Sequence, residues 1–107
     1  MNTLFCNFLA CPYIIEKPKD AIAELGNTSS FYCDGAAYNH NVNILWYKDG
    51  KKIIDNDKYD IIDKNRKLVI KNVDRHDIGS YTCVVDDGNG ESASMVARLK
   101  LTGTLFL

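Results

Sequence analysis

Residues 68–83 of the 107-residue chain read LVIKNVDRHDIGSYTC and contain the pattern most informative about its fold. Its pattern is Leu68-x-Ile70-x-x-Val73-x-x-x-Asp77-x-Gly79-x-Tyr81-x-Cys83. Leu68 and Ile70 stand two residues apart, the spacing at which side chains of a β-strand share one face. A second cysteine, Cys33, lies upstream, and the single tryptophan of the chain, Trp46, lies between the two cysteines. The pattern predicts a strand, a helical turn and a further strand.

With these residues the chain resembles an immunoglobulin-superfamily domain, most like the intermediate set (I-set) of cell-adhesion molecules, receptor ectodomains and muscle proteins. The resemblance covers residues 13–102. It implies an all-β fold, an immunoglobulin-like two-sheet Greek-key β-sandwich with one inter-sheet disulfide. It implies that Cys33 and Cys83 form this disulfide and that Trp46 packs against it. It also implies structural roles for further core positions: Tyr81, Asp77, Lys58, Leu68 and Gly79.

Two of these core positions have specific expected contacts. The resemblance makes Tyr81 a tyrosine corner, whose hydroxyl bonds back to the backbone near Val73 or Asp74. It makes Asp77 a buried carboxylate that pairs with a basic residue at the start of the fourth strand, here Lys58. Relatives more often have arginine there, and lysine lacks the bidentate fork of a guanidinium. We therefore expect the Lys58–Asp77 pair to be weaker than usual.

Alternating apolar residues and turn residues outline the strands. The expected strands cover residues 13–16 and 21–25 (one strand split at Pro18), 29–34, 43–48, 52–54, 59–63, 67–72, 80–85 and 92–101. Asp49-Gly50 predicts a type I′ hairpin, because both residues tolerate a positive φ. We expect a helical turn over residues 74–78, and the resemblance implies that it leaves little room for a Cβ at Gly79. In the last strand we expect five residues to face the core: Ala93, Met95, Ala97, Leu99 and Leu101.

Length and composition fit one domain of this kind. A formal net charge of −1 argues against a dedicated nucleic-acid binder. No apolar run reaches the roughly 18 residues that a transmembrane helix needs, so we expect membrane association only through a longer parent chain. We divide the chain into an apolar N-terminal segment at 1–12, an immunoglobulin-like domain at 13–102 and a C-terminal tail at 103–107.

The cysteines and a glycosylation sequon bear on the cellular compartment. An inter-sheet disulfide persists in an oxidising, secretory setting, while the same cysteines can stay reduced and buried in a cytosolic relative. Asn27-Thr28-Ser29 is the N-glycosylation sequon, and Asn27 is the expected glycan acceptor. Residues 1–12 are interpreted as a signal remnant or a fragment end, with Cys6 and Cys11 either removed or unpaired. We expect an extracellular or cell-surface protein.

The sequence shows no catalytic or metal-binding pattern. His40 and His76 have no partner at metal-ligand spacing. Asp86, Asp87 and Glu91 lack the alternating oxygen ligands of a calcium loop. There is no local nucleophile–base signature and no glycine-rich phosphate loop. We therefore expect no metal, no cofactor and no enzymatic activity.

Two surfaces are candidates for contact with partners. Aspartates at 55, 57, 60 and 63 are interleaved with seven basic residues: Lys51, Lys52, Lys58, Lys64, Arg66, Lys67 and Lys71. Mixed charge of this kind is typical of a solvated strand face, and a heparan sulphate site is the less favoured alternative.

The alternation that buries Trp46 and Cys83 turns five residues outward on neighbouring strands, here named the outward face: Leu45, Tyr47, Thr82, Val84 and Val96. A contiguous apolar patch with a tyrosine is typical of a protein interface.

The resemblance implies a non-catalytic protein–protein interaction module of a cell-surface or secreted adhesion or receptor protein, with homophilic or heterophilic partners. The alternative is an intracellular structural immunoglobulin module of a muscle-type tandem-repeat protein. A more remote alternative is a domain attached to an enzyme, such as a receptor kinase ectodomain, with catalysis elsewhere. The fold alone does not decide among them, because this architecture carries many functions. The sequon, the cysteine pair and the apolar N-terminus favour the first.

Overall fold

The computed structural model describes residues 11–38 and 41–103, which form two layers of β-sheet around one core. The strands of these residues are β1 (Tyr13–Glu16), β2 (Ala21–Ala23), β3 (Ser29–Tyr32), β4 (Asp34–Ala36), β5 (Asn43–Lys48), β6 (Lys51–Lys52), β7 (Tyr59–Ile62), β8 (Lys67–Ile70), β9 (Gly79–Asp86) and β10 (Ser92–Leu101). A short 3-10 helix, Arg75–Asp77, connects β8 to β9 where the helical turn was expected.

The strands pair in two layers. One layer is a five-stranded sheet in the order β2-β10-β9-β5-β6. Its strands are antiparallel except β2, which runs parallel to β10 with Ala21 opposite Leu99. The other layer has the antiparallel order β3-β8-β7, and β4 continues from β3 to pair with β1. The expected two-sheet sandwich is confirmed.

Cys33 marks the point at which the second strand of the sandwich changes partners. β3 pairs with β8, and the N–H of Cys33 still donates to the carbonyl of Arg66 at 2.8 Å. β4 then pairs with β1 instead. The single strand expected over residues 29–34 is therefore broken at Cys33 and extends to Ala36, because two different neighbours supply its hydrogen bonds.

Gly35 allows this change of partner by its lack of a side chain. A Cβ on Gly35 would lie 2.7 Å from Cγ1 of Val85 and 2.8 Å from the carbonyl oxygen of Tyr13. No real side chain tolerates such distances without a shift of its neighbours. Sequence reasoning missed Gly35, since neither strand alternation nor a turn pattern marks it.

The core is built around the disulfide between Cys33 and Cys83, whose Cα atoms lie 6.4 Å apart. Both cysteines are fully buried, and Trp46 stands directly opposite Cys83 in the ladder of β5 and β9. The indole N–H of Trp46 donates to a backbone carbonyl of the β7–β8 turn at 2.8 Å, so its polar atom is satisfied. Phe31 lies between Trp46 and Tyr81, with ring centroids at 6.5 and 5.1 Å.

The 3-10 helix holds a buried carboxylate beneath a tyrosine. Asp77 is 3% exposed and accepts hydrogen bonds from the Lys58 ammonium at 2.7 Å and the backbone N–H of Asp74 at 2.8 Å. Tyr81 donates its hydroxyl to the carbonyl of Asp77 at 2.6 Å. The expected partner near Val73 or Asp74 is therefore wrong. The 3-10 helix places the backbone carbonyl of Asp77, its last residue, next to the Tyr81 hydroxyl, so this hydrogen bond joins residues four apart in the sequence.

Lys58 makes more contacts than the ion pair expected from the sequence. Besides Asp77, its ammonium donates to the carbonyls of Lys71 at 3.1 Å and Asn72 at 2.9 Å. Three N–H donors meet three acceptors, which suits an ammonium. Burial lowers the pKa of Lys58, but the hydrogen bond and the charge of Asp77 outweigh it, so the pKa lies above its usual value. The stability that this shift contributes is fully present below the ordinary pKa of lysine and is lost as the pH rises through the raised pKa.

The Asp49 side chain connects the β5–β6 turn to the start of β9, next to Gly79. Asp49 and Gly50 have φ angles of 48° and 88°, the two positive values that the type I′ prediction requires. The Asp49 carboxylate accepts from Lys48 at 2.8 Å and from the backbone N–H of Ser80 at 3.1 Å, and these bonds lower its pKa. Gly79 has a φ of +153°, and a Cβ on it would lie 2.8 Å from an oxygen of that carboxylate. Both the backbone angle and the space therefore favour glycine there.

β10 follows the expected alternation only in its second half. Ala97, Leu99 and Leu101 are buried. Met95 was expected in the core but is 38% exposed. β2 pairs only with the last three residues of β10, so Met95 has no strand neighbour on that side of the sheet among the described residues.

Part of the expectation for the N-terminal segment lies outside the described residues, including Cys6. Cys11 is disulfide-bonded, so it is not unpaired as the sequence suggested. No helix in the described part of the chain has the length and apolar character that crossing a bilayer demands.

Replacing Cys33 tests the role of the inter-sheet disulfide. We expect Cys33→Ala to lower the free energy of unfolding by about 2–5 kcal/mol, the usual cost of losing a native bridge in a small domain. We also expect reduction of the unsubstituted chain to raise Trp46 fluorescence, because the adjacent sulfur atoms quench the indole. Denaturant titrations with and without reductant measure both effects, and the alanine variant is the control in which reductant can no longer act through the Cys33–Cys83 bridge. Equal stability of the two proteins would contradict this role.

Gly35→Ala tests the close approach of β4 to β9. We expect a loss of about 1–3 kcal/mol, the usual cost of overpacking a filled core. The same substitution in a Val85→Ala background should cost less, since the obstructing methyl groups are gone. Thermal and urea denaturation of the four proteins complete the cycle. An equal cost in both backgrounds would show that contact with Val85 is not the cause.

Candidate functional site

The register of β5, β9 and β10 arranges the outward face in rows. Tyr47 on β5 stands opposite Thr82 on β9, and Thr82 stands opposite Val96 on β10. Leu45 stands opposite Val84 in the neighbouring row. The five residues singled out from the sequence are thus adjacent, on the side of the sheet that faces away from the core.

The outward face is accessible and apolar. Val96 is 54% exposed, and the other four residues are partly buried. Directly opposed residues of antiparallel strands have Cβ atoms about 4.5–5.5 Å apart, so these side chains form one contiguous patch. The patch combines a phenol, three aliphatic side chains and a threonine, and none of its members is charged.

Charged residues border this apolar centre. Lys52 on β6 stands opposite Tyr47 and continues its row to the edge of the sheet. Asp86 ends the β9 strand at one end of the face. At the other end Arg98 donates from its guanidinium to the hydroxyl of Ser80 at 3.2 Å. An apolar centre within a polar rim is the usual anatomy of a protein–protein interface.

The sequon occupies an exposed turn between β2 and β3. The side-chain amide of Asn27 reaches the Glu24 carboxylate at 3.5 Å on the surface. The backbone carbonyl of Asn27 accepts the N–H of Val73 at 2.9 Å, and the N–H of Gly26 donates to the carbonyl of Val73 at 2.8 Å. The backbone of the turn is therefore anchored while the amide stays accessible to modification.

The basic residues of the middle strands are interleaved with acids in space as well as in sequence. Besides the Lys58–Asp77 pair, Arg66 contacts Asp63 at 2.6 Å and Lys71 contacts Asp60 at 3.2 Å. A sulphated polysaccharide would meet a surface of mixed sign here. This arrangement favours the interpretation as a solvated face over a heparan sulphate site.

The acidic β9–β10 turn uses its carboxylates for its own conformation. Asp87 accepts the backbone N–H of Asn89 at 2.7 Å and that of Glu91 at 3.1 Å. Such bonds from an aspartate to the backbone of its own turn are a common reason for aspartate in turns. The turn residues thus have a conformational explanation that involves no ion.

Side chains suited to chemistry are dispersed in the described part of the molecule. Within residues 11–38 and 41–103, no three His, Cys, Asp or Glu residues are grouped so as to hold a metal ion. His76 is a surface residue whose Nδ1 lies 3.5 Å from Asp74, and His40 lies outside the described residues. Burial raises the pKa of Tyr81, which keeps the phenol neutral as a hydrogen-bond donor to Asp77.

Several known proteins have sequences similar to that of this chain. A family model described as "Immunoglobulin domain" matches residues 12–86. Neural cell adhesion molecule 1 of Homo sapiens is 31% identical over 80 residues, which are 72% of this chain and 9% of that protein. The titin homolog of Caenorhabditis elegans is 35% identical over 85 residues, which are 71% of this chain and a share of that protein that rounds to 0%. The chain therefore spans less than a tenth of these curated relatives.

A solved structure agrees with the fold. The N-terminal Ig1-2 module of the Drosophila receptor protein tyrosine phosphatase DLAR superposes with a TM-score of 0.76 at 29% identity, covering 85% of this chain and 48% of that one. Relatives of both the adhesion and the titin kind fit the expected protein-interaction module. With its two-sheet sandwich and its match over residues 12–86, the chain belongs to the immunoglobulin domain family.

Proposed function

We propose that this domain is a non-catalytic protein-interaction module of a cell-surface or secreted adhesion or receptor protein, and that the outward face is its contact surface. The observation that carries the proposal is the register that sets Tyr47, Thr82 and Val96 in one row across three strands. Tyrosine offers a large and rigid contact area at a small entropy cost. The partner is a protein with its own apolar patch, and an acidic side chain near that patch would face Lys52.

The cellular setting follows from the same proposal. The similarity to neural cell adhesion molecule 1, the Cys33–Cys83 disulfide and the exposed turn at Asn27 support a secreted or cell-surface domain that spans residues 13–102. Residues 1–12 and 103–107 are then its flanking segments. The similarity to the titin homolog supports the alternative, an intracellular structural module of a tandem-repeat protein. In that alternative the cysteines stay reduced and Asn27 carries no glycan.

Tyr47→Asp tests the contact surface. We expect it to weaken partner binding by about 2 kcal/mol or more, the loss typical of a central interface residue. Thermal stability should change little, because the phenol lies on the outer side of the sheet. Tyr13→Asp on β1, a 53% exposed tyrosine of the other layer, is the matched control and should bind normally. Binding of fluorescent multimers of the domain to partner-bearing cells measures the effect, and full binding of Tyr47→Asp rejects this surface.

Expression in a secretory host tests the compartment. We expect the protein to carry a glycan at Asn27 that peptide N-glycosidase removes, and Asn27→Gln and Ser29→Ala each to abolish it. Mass spectrometry should find no free thiol at Cys33 or Cys83. Secreted protein with both thiols free and Asn27 bare would support the intracellular alternative instead.

A further inference from the structure

The β9–β10 turn contains the one Asn-Gly pair of the sequence, Asn89-Gly90. The side-chain carbonyl carbon (Cγ) of an asparagine and the backbone nitrogen of the next residue close a five-membered ring when they bond. Glycine as the next residue favours this step, because it has no Cβ to hinder the approach and its backbone rotates freely. Every other asparagine of the sequence is followed by a residue with a side chain. Ring closure is therefore easiest at this pair.

The structure leaves both reacting groups of this pair accessible. Residues 88–90 are exposed, and neither the side-chain amide of Asn89 nor the backbone N–H of Gly90 has a hydrogen bond within the described residues. A Cβ on Gly88 or Gly90 would find nothing within 4 Å, so no neighbour confines the backbone on either side of Asn89. The tip of the turn can therefore rotate into the geometry of ring closure without displacing the core.

The three Asp-Gly pairs of the chain have the same arrangement of atoms, but hydrogen bonds hold each of their carboxylates. Asp34 accepts the backbone N–H of its own glycine at 2.8 Å. Asp49 accepts from the Lys48 ammonium at 2.8 Å. Asp87 accepts two backbone N–H groups of its turn, at 2.7 and 3.1 Å. An ionised carboxylate is also a poorer electrophile than an amide, so both structure and chemistry distinguish Asn89 from these aspartates.

We propose that Asn89 is a site of spontaneous modification, at which the folded domain converts asparagine to aspartate and isoaspartate. The backbone nitrogen of Gly90 bonds to Cγ of Asn89 and loses its proton to water. The bond between Cγ and Nδ2 breaks, ammonia leaves, and a cyclic imide remains. Water then opens the imide at Cγ, which gives aspartate, or at the backbone carbonyl, which gives isoaspartate with the main chain running through the side chain. The net exchange is one water gained and one ammonia lost.

Both products alter the turn. Each adds one carboxylate beside Asp86, Asp87 and Glu91, and this one negative charge takes the formal net charge from −1 to −2. Isoaspartate also inserts a methylene into the main chain between the two N–H groups that the Asp87 carboxylate accepts. One carboxylate oxygen then no longer reaches both groups, so the base of the turn loosens. Because Asp86 borders the outward face, the modification changes the charge at its rim and leaves its apolar rows intact.

The experiment is peptide mapping of the full 107-residue chain, kept folded with its disulfide intact at neutral pH and physiological temperature over several weeks. After reduction, trypsin releases the peptide of residues 76–98, whose only side-chain amide is that of Asn89. We expect this peptide to gain the mass of an amide-to-acid conversion and to accept a methyl group from protein isoaspartate methyltransferase. The tryptic peptides that contain Asn56 and Asn72 should keep their mass and serve as internal controls.

Two references complete the test. Asn89→Gln keeps an amide but requires a six-membered ring, so the variant should keep its thermal stability and lose the methyl label. A synthetic peptide of residues 85–94 reports the rate without a fold, and the folded chain should convert at a similar rate. A folded chain that keeps Asn89 intact while the peptide converts overturns the proposal. A methyl label in peptide 76–98 without a gain in mass, or one that persists in Asn89→Gln, assigns the reaction to an aspartate and also overturns it.

Discussion

The disulfide between Cys33 and Cys83 joins the two layers where β3 gives way to β4, and the rest of the domain is organised around that link. Cys83 lies in the middle of β9, and Trp46 stands opposite it on β5. Side chains alternate along a strand. Placing these two residues inside therefore fixes the direction of all the remaining side chains on both strands. The outward face is therefore a consequence of the core, since its rows are the other half of the same alternation.

Polar groups around the core are satisfied by turns rather than by solvent. The indole N–H of Trp46 donates to the carbonyl of Asn65. Asn65 ends a run of three residues in the left-handed region, with φ angles of 58°, 55° and 66° at Asp63, Lys64 and Asn65. Such angles cost non-glycine residues roughly 1 kcal/mol or more each. The indole bond and the Arg66–Asp63 pair hold the turn in this conformation, so the β7–β8 turn depends on the core beneath it.

Much of this structure could be predicted from local patterns. The spacing of residues within 68–83 is sufficient to predict the fold, and strand alternation is sufficient to predict which residues form the outward face. Features that depend on distant segments could not be predicted. Met95 has no strand neighbour on one side because β2 is short, and the Tyr81 hydroxyl follows the path of the 3-10 helix. Gly35 carries no local pattern, because its requirement arises only when Val85 and Tyr13 approach from other strands.

The length of the loop between the bridged cysteines has a mechanical consequence. Fifty residues separate them, which is roughly 170 Å of fully extended chain. A force that pulls the ends of the domain apart cannot release that length while the sulfur–sulfur bond holds, so only the segments outside the loop unravel. β2 and β10 lie in those segments and run parallel, so the pull loads their hydrogen bonds together in shear. The oxidation state of one bond thereby sets how far the domain stretches under tension.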